Sequence, residues 1–473
     1  MTPRLHRAPV WRARRALLAE SDYARFGGVL QIAPPGNSAP FGKLLAAAAK
    51  KSGKDSESPA FATAPGGTAV AQVCPRKNDS VFAQLETLRR GFAPLCGCDS
   101  VAVDIRLPEA AAAAVFAALA GASRMPGDSR KACKILFAGC APQTAAESAA
   151  KAEANALARA LCRLPPNILS LPVFAKTASA LGKQRGLGVK VFDSKQLANM
   201  GAGAILAVGR GSVVQPQIVR LRYRPSGAKR RIILIGKGVC YDTGGVNAKP
   251  ARHMRGMKGD MAGAAVALGA VLGAAERGIP AQIDAYLALA ENGIGPAAYR
   301  PDEEITALSG KRIEIVHSDA EGRMILADAL TLATREQPRA DAVITFATLT
   351  GTMHAALGNR MSGVFACGEQ WLARAMRAAE ASGERLCTFP LPADYRRALK
   401  SDVADIKQCA EEGEADHIMA ALFLREFMEG APPWLHLDLS AASCKEGLGA
   451  MPGPETGFGA AWAMELLKAA AQP

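Results

Sequence analysis

His317-Ser318-Asp319-Ala320-Glu321-Gly322-Arg323 sets two carboxylates one residue apart and an arginine just beyond them. Upstream, Gly236-Lys237-Gly238 is followed by Asp242, Lys249 and Asp260. Carboxylate oxygens are hard ligands, and a cluster of them calls for divalent cations. Four acids in one pocket repel, and they cannot all ionise unless cations compensate them. Several carboxylates sharing one lysine suit a pair of metal ions better than a single ion. Lys237 can join them as a ligand only as a neutral amine, a state that burial and nearby metal charge favour. Two metal ions side by side acidify a water held between them, so the chemistry that fits is hydrolysis.

Taken singly, each motif is weak. An acid pair opening a helix beside an arginine is a common surface arrangement. The Gly-Lys-Gly run lacks the spacing of a phosphate-binding loop. The weight comes from the elements that must bring the two stretches together. RRIILIG (230–236) is a short apolar run, as in a strand buried on both faces, and a Gly-rich loop follows it. MKGDMAGAAVALGAVLGAAERG (257–278) reads as a helix of small residues, and AQIDAYLALA (281–290) as a second buried strand. KRIEIVHSD (311–319) alternates, which places Asp319 and Glu321 on one face at the end of an extended segment. Gly322 then gives a tight entry to an amphipathic helix over 322–336. ADAVITFATLTG (340–351) is a third buried strand. Strands alternating with helices predict an α/β fold with a mainly parallel central sheet covered by helices. In such sheets sites form at the carboxyl ends of the strands, where all these candidate ligands fall.

The first third of the chain is less patterned. Strands are expected at 100–105 and 134–139, and helices at 109–120 and 144–164, the latter stopped by Pro165-Pro166. This divides the chain into a smaller amino-terminal α/β domain (1–145), a connecting helix (146–165) and a catalytic domain (166–473). Residues 1–25 carry Arg4, Arg7, Arg12, Arg14 and Arg15 before any acid, and read as a basic, disordered arm rather than a secretory signal. No uninterrupted apolar run reaches the roughly 18 residues of a membrane span. The 11 cysteines include a Cys96-x-Cys98 pair with the wrong gap for common zinc knuckles. They read as reduced thiols of a cytoplasmic protein. A net charge of +14 favours salt-sensitive attraction to polyanions. Nucleic acid is a conceivable partner, yet no nucleic-acid-binding motif is present.

At this point the chain resembles the leucyl aminopeptidase family of two-metal peptidases. The family signature Asn-Thr-Asp-Ala-Glu-Gly-Arg is matched by HSDAEGR (317–323), and a second long motif by GKGVCYDTGGVNAKPARHMRGMKGDM (236–261). PPNILSLP (165–172), ENGIGPAAYRPDEEI (291–305), ATLTGTMHAALGN (347–359), LKSDVADIK (399–407), AALFLREF (420–427) and PWLHLDLS (433–440) are similar to family segments as well. The resemblance implies a metallo-exopeptidase acting on peptides with a free amino terminus, with leucine-type preference, as a homohexamer. It implies two divalent ions, Mn2+ or Zn2+. Lys237, Asp242, Asp260 and Glu321 would hold one. Asp242, Asp319 and Glu321 would hold the other, with Asp242 and Glu321 bridging. Lys249 would polarise the scissile carbonyl. Arg323 would hold a bicarbonate as base, since an arginine stays protonated. Met257 and Thr348-Leu349-Thr350-Gly351 would line the pocket for the first side chain.

The chain departs from the family pattern at His317 and Ser318, where Asn and Thr are usual, and at Gly259 beside Asp260, which would loosen that turn. His317 is expected as a neighbouring donor or packing residue rather than a ligand. His253, His354, His417 and His436 match no needed role. Two rival readings are a catalytically silent homologue with a structural role and a nucleic-acid-binding protein on the same fold. The first should have lost a ligand or Lys249, and this chain keeps them all.

Overall fold

The computed structural model describes residues 5–34, 39–51 and 58–471. Among them, the first sheet has six strands: β1 (Val10–Arg14), β2 (Gly28–Ile32), β3 (Ala60–Thr63), β4 (Ala69–Val73), β5 (Ser100–Ile105) and β6 (Lys134–Ala138). Their order is β1-β6-β5-β2-β4-β3, parallel except at the β3 edge. The remaining strands are β7 (Gly188–Phe192), β8 (Gln217–Tyr223), β9 (Arg231–Asp242), β10 (Gln282–Asn292), β11 (Glu304–Thr306), β12 (Arg312–Glu314), β13 (Ala342–Ala347), β14 (Ser362–Cys367), β15 (Leu386–Thr388), β16 (Ile406–Lys407) and β17 (Trp434–Asp438). Eight of these form the second sheet, ordered β15-β14-β17-β13-β9-β10-β8-β7, while β11, β12 and β16 make a small third one. The centre of the second sheet, β17-β13-β9-β10, is wholly parallel.

Strand β9 shows why that centre is buried on both sides. Ile232 and Leu234 enter one core with the helices Pro142–Arg163, Ala262–Glu276 and Ala460–Ala470. Ile233, Ile235 and Val239 enter the opposite core with the helices Gly203–Gly209, Glu321–Arg335 and Asp416–Arg425. Successive side chains of a strand face opposite ways, so an unbroken apolar run needs helices on both faces. The helix Pro142–Arg163 also sends Ala145 and Ala152 into the core of the first sheet.

Two expectations change here. The basic start is not a disordered arm from Val10 onward. Strand β1 alternates, with Trp11 and Ala13 packed inward and the arginines outward, and Trp11 meets the Phe137 ring edge-on at 6.4 Å. Arginine-rich composition masked a period of two. Second, β9 runs on through the expected Gly-rich loop to Asp242. The expectation of no membrane-spanning run stands, although Ala251–Glu276 passes for one by length and composition alone. It is broken into the short helix Ala251–Met254, a tight turn and the helix Ala262–Glu276, and 83% of its apolar window is buried.

Asp328 anchors the helix that carries Glu321. Its buried carboxylate accepts from Ile205 N at 2.9 Å and Leu308 N at 2.7 Å. Burial pushes this carboxyl up to about 7, against the pull of its backbone donors. The folded value therefore lies above the unfolded one, and the native state keeps the proton longer. Stability from this group is fullest in acid and declines as pH rises from 3.8 to about 7. Asp328→Asn, which cannot accept on both sides, should cost about 1–3 kcal/mol and remove that decline. Urea unfolding across this pH range checks both; an unchanged pH slope would rule Asp328 out as its source.

Candidate active site

Lys237 and Asp242 lie on the carboxyl half of β9, five residues apart, so strict alternation would send them to opposite faces. A bulge prevents this. Val239 pairs with Ala290 and Asp242 with Asn292, so β9 spends three steps where β10 spends two. The extra residue re-aims Asp242 to the side that Lys237 faces. Asp242 Oδ1 then accepts from Asn292 Nδ2 and Gly244 N, both at 2.9 Å. Gly244 and Gly245 both have positive φ, which lets the chain turn at once and bring Lys249 back. The loop closes with Lys249 N donating to Thr243 O at 2.9 Å.

The expected extended segment at Asp319 is a correction. Strand β12 ends at Glu314, Asp319 sits in a turn, and Glu321 is the first residue of the helix Glu321–Arg335. The two acids converge through a turn-to-helix junction, not through strand alternation. Ser318 holds that junction. Its hydroxyl donates to Gly244 O at 2.6 Å, and its carbonyl accepts from Tyr299 OH at 2.7 Å and Asn292 Nδ2 at 3.0 Å. Gly322 serves a different end from the expected tight entry. A Cβ there would lie 2.7–2.8 Å from the end of the Lys237 side chain, which would have to shift away from its acids.

The cluster is compact. Asp242, Asp319 and Glu321 each offer a carboxylate oxygen within 4.8 Å of the others. Lys237 Nζ donates to Glu321 Oε1 at 2.8 Å, Asp260 Oδ1 at 2.9 Å and Thr348 O at 2.8 Å. Lys249 Nζ lies 2.8 Å from Asp242 Oδ2 and 2.5 Å from Asp319 Oδ1. Lys237 is the deeper, 3% exposed against 15% for Lys249. Burial raises the carboxyls of Asp260, Asp319 and Glu321, and the neighbouring acids raise them further. Burial opposes the charge on Lys237, but Asp260, Glu321 and Asp242 outweigh it and hold the ammonium protonated. The donor set fits divalent metal ions. Asp260 Oδ2 and Glu321 Oε2 are buried oxygens without a hydrogen bond, and all four acids offer hard oxygen ligands.

The residues expected to line a pocket sit beside this cluster. Met257 opens the tight turn Met257–Gly259 just before Asp260, and is half-buried. Gly259 there has no positive φ and nothing near its Cβ position. Thr348 Oγ1 donates to Asp260 Oδ1 at 2.6 Å, and Thr348, Leu349 and Thr350 are half-buried where β13 ends. Gly351, exposed, starts the helix Gly351–Leu357. His317 Nδ1 accepts from Asp319 N at 3.2 Å, so its contact is with the backbone of the ligand turn. His436 is buried between Trp434 and Phe365 with Nδ1 at Thr345, a packing role.

Arg323 is buried, and its guanidinium forks onto Asp416. Sequence reading missed Asp416, Asn292 and Asp438. Asp438 ends β17 and accepts from Leu349 N at 2.9 Å and Thr350 Oγ1 at 2.7 Å, which shapes the Thr348–Gly351 bend. Burial pushes its carboxyl up to about 6. A lone acid closing the apolar run Trp434-Leu435-His436-Leu437 was the available signal.

Comparison with known proteins places this fold among relatives. The family model for the catalytic domain of the cytosol aminopeptidase family matches residues 156–464. A "Probable cytosol aminopeptidase" of Streptomyces avermitilis is 43% identical over 286 residues, 60% of this chain and 55% of that protein. The chain thus spans little more than half the length of that relative. A structure of "Bottromycin maturation enzyme BotP in complex with Mn" superposes with a TM-score of 0.86 at 31% identity, covering 94% of this chain and all of the other. The apo leucyl aminopeptidase of Trypanosoma cruzi gives 0.83 at 26% identity, covering 98% and 97%. On the extent of the family match, supported by the fold it shares with these structures, the chain belongs to the cytosol aminopeptidase family.

Proposed function

We propose that this chain is a cytoplasmic, metal-dependent aminopeptidase that releases amino-terminal residues, leucine-type ones foremost, from peptides. The observation that carries this is the convergence of Asp242, Asp319 and Glu321 oxygens within 4.8 Å, beside two lysines. Asp242, Asp260, Asp319 and Glu321, joined by Lys237 once it gives up its proton, would hold two divalent ions, with Mn2+ favoured by the complex of the similar BotP. When bound, such ions acidify water and attract a substrate's free amine. The chain's own residues do the rest. Lys249, protonated and at the open side, donates to the oxygen on which negative charge builds during attack on the carbonyl. Met257 and the Thr348–Gly351 bend take the first side chain, and Asp438 holds the bend in place. Assembly as a homohexamer belongs to the same reading, and particle mass in solution reports it.

Metal-stripped protein should not release nitroaniline from leucine p-nitroanilide, and added Mn2+ or Zn2+ should restore release. Asp319→Ala should abolish the restored rate, and an amino-acetylated substrate should stay intact. Folded, metal-loaded protein that cleaves no amino-terminal residue from any peptide would instead favour a silent structural homologue.

A further inference from the structure

Arg323 already carries an anion from its own chain, the Asp416 carboxylate. It lies in the first turn of the helix Glu321–Arg335, and its side chain is 2% exposed. Nη2 donates to both oxygens of Asp416, at 2.8 and 2.7 Å, a charge-assisted fork. Nη1 donates to Gln408 O at 3.2 Å, while Nε is buried without a hydrogen-bond partner. A bicarbonate placed against this guanidinium would have to displace Asp416 or crowd its negative charge, with Glu321 also close by. The residues present therefore do not fit a free bicarbonate at Arg323.

We propose that Asp416 is a positioning residue that supplies Arg323 with its anion from within the chain, so that hydrolysis here needs no free bicarbonate. The proposal rests on the peptidase reading above. Asp416 opens the helix Asp416–Arg425, where the helix dipole favours a negative charge. It follows Ala415, whose φ of +48° is a strained backbone that surrounding contacts must hold. Gln408 joins this pair to the ligand turn. Its side chain accepts from Val316 N and His317 N and donates to Ala320 O, while its own carbonyl receives Arg323. Asp416, Arg323 and Gln408 thus brace the segment from which Asp319 and Glu321 project.

The test uses the full chain, loaded with Mn2+, on leucine p-nitroanilide in buffer freed of carbon dioxide. Wild-type kcat should be the same with and without millimolar bicarbonate. Asp416→Ala should lose about 10–100-fold in kcat with KM little changed, and regain it when bicarbonate, formate or acetate is added. Asp416→Glu should keep most of the activity. A wild-type kcat that rises with bicarbonate overturns the proposal whether or not the variant folds. An Asp416→Ala protein with wild-type circular dichroism that stays slow in every anion overturns it, as does one fully active without any anion. Wild-type protein inert with metal bound removes the peptidase reading and this proposal with it, a result distinct from a peptidase that requires bicarbonate.

Discussion

Lys249→Ala is expected to lower kcat on leucine p-nitroanilide by about 10²–10³-fold while KM changes far less. Its ammonium lies 2.8 Å from Asp242 Oδ2 and 2.5 Å from Asp319 Oδ1, at the more open side of the cluster. Burial works against that charge, but Asp242 and Glu321 outweigh it and hold the amine protonated. At neutral pH the group is a hydrogen-bond donor and not a base. Its largest use comes when an incoming carbonyl oxygen turns negative, because a fixed donor then needs no reorganisation. Metal content measured beside the kinetics separates two outcomes. A slow variant that keeps its metal places Lys249 on the reacting oxygen. A variant that loses its metal in proportion to its rate makes Lys249 a holder of Asp242 and Asp319 instead.

Lys237→Met should be the most destabilising single change at the site in metal-free protein. The side chain it replaces is buried and donates to Asp260, Glu321 and the Thr348 carbonyl, each within 2.9 Å. Methionine fills a similar space and removes the charge, which strands two buried carboxylates beside a third. Breaking a buried ion pair from one side costs about 3–5 kcal/mol. Saturating Mn2+ should return part of that loss, since an ion that binds only the folded state stabilises it by mass action. Urea denaturation with and without Mn2+ measures both quantities. A metal-free variant as stable as wild type would mean that the acids are satisfied by water or protons, with Lys237 dispensable to the fold.

Much of this site was legible in the chain. Asp242, Asp260, Asp319, Glu321 and both lysines follow from residue type and short-range spacing, since ligand chemistry is local. The buried strands β9, β10 and β13 announce themselves as apolar runs, because a strand covered on both faces tolerates little else. Local pattern failed where geometry is made by pairing. The bulge that turns Asp242 beside Lys237 exists only in the register of β9 against β10. Asp319 and Glu321 looked like strand neighbours because Ile313, Ile315 and the residues between them alternate, yet β12 ends at Glu314. The Arg-rich β1 hid its inward Trp11 for the converse reason, that charge obscured its period.

The sequence by itself determined which side chains offer hard donor atoms and that Lys237 and Asp242 follow a buried apolar run, because donor chemistry and hydrophobic periodicity are written residue by residue. Tertiary structure alone decided what meets Arg323. Asp416 lies far along the chain, and no local spacing relates the two. Only the packing of the helix Asp416–Arg425 beside the helix Glu321–Arg335 in one buried core brings a carboxylate to that guanidinium, and burial is what makes each require the other.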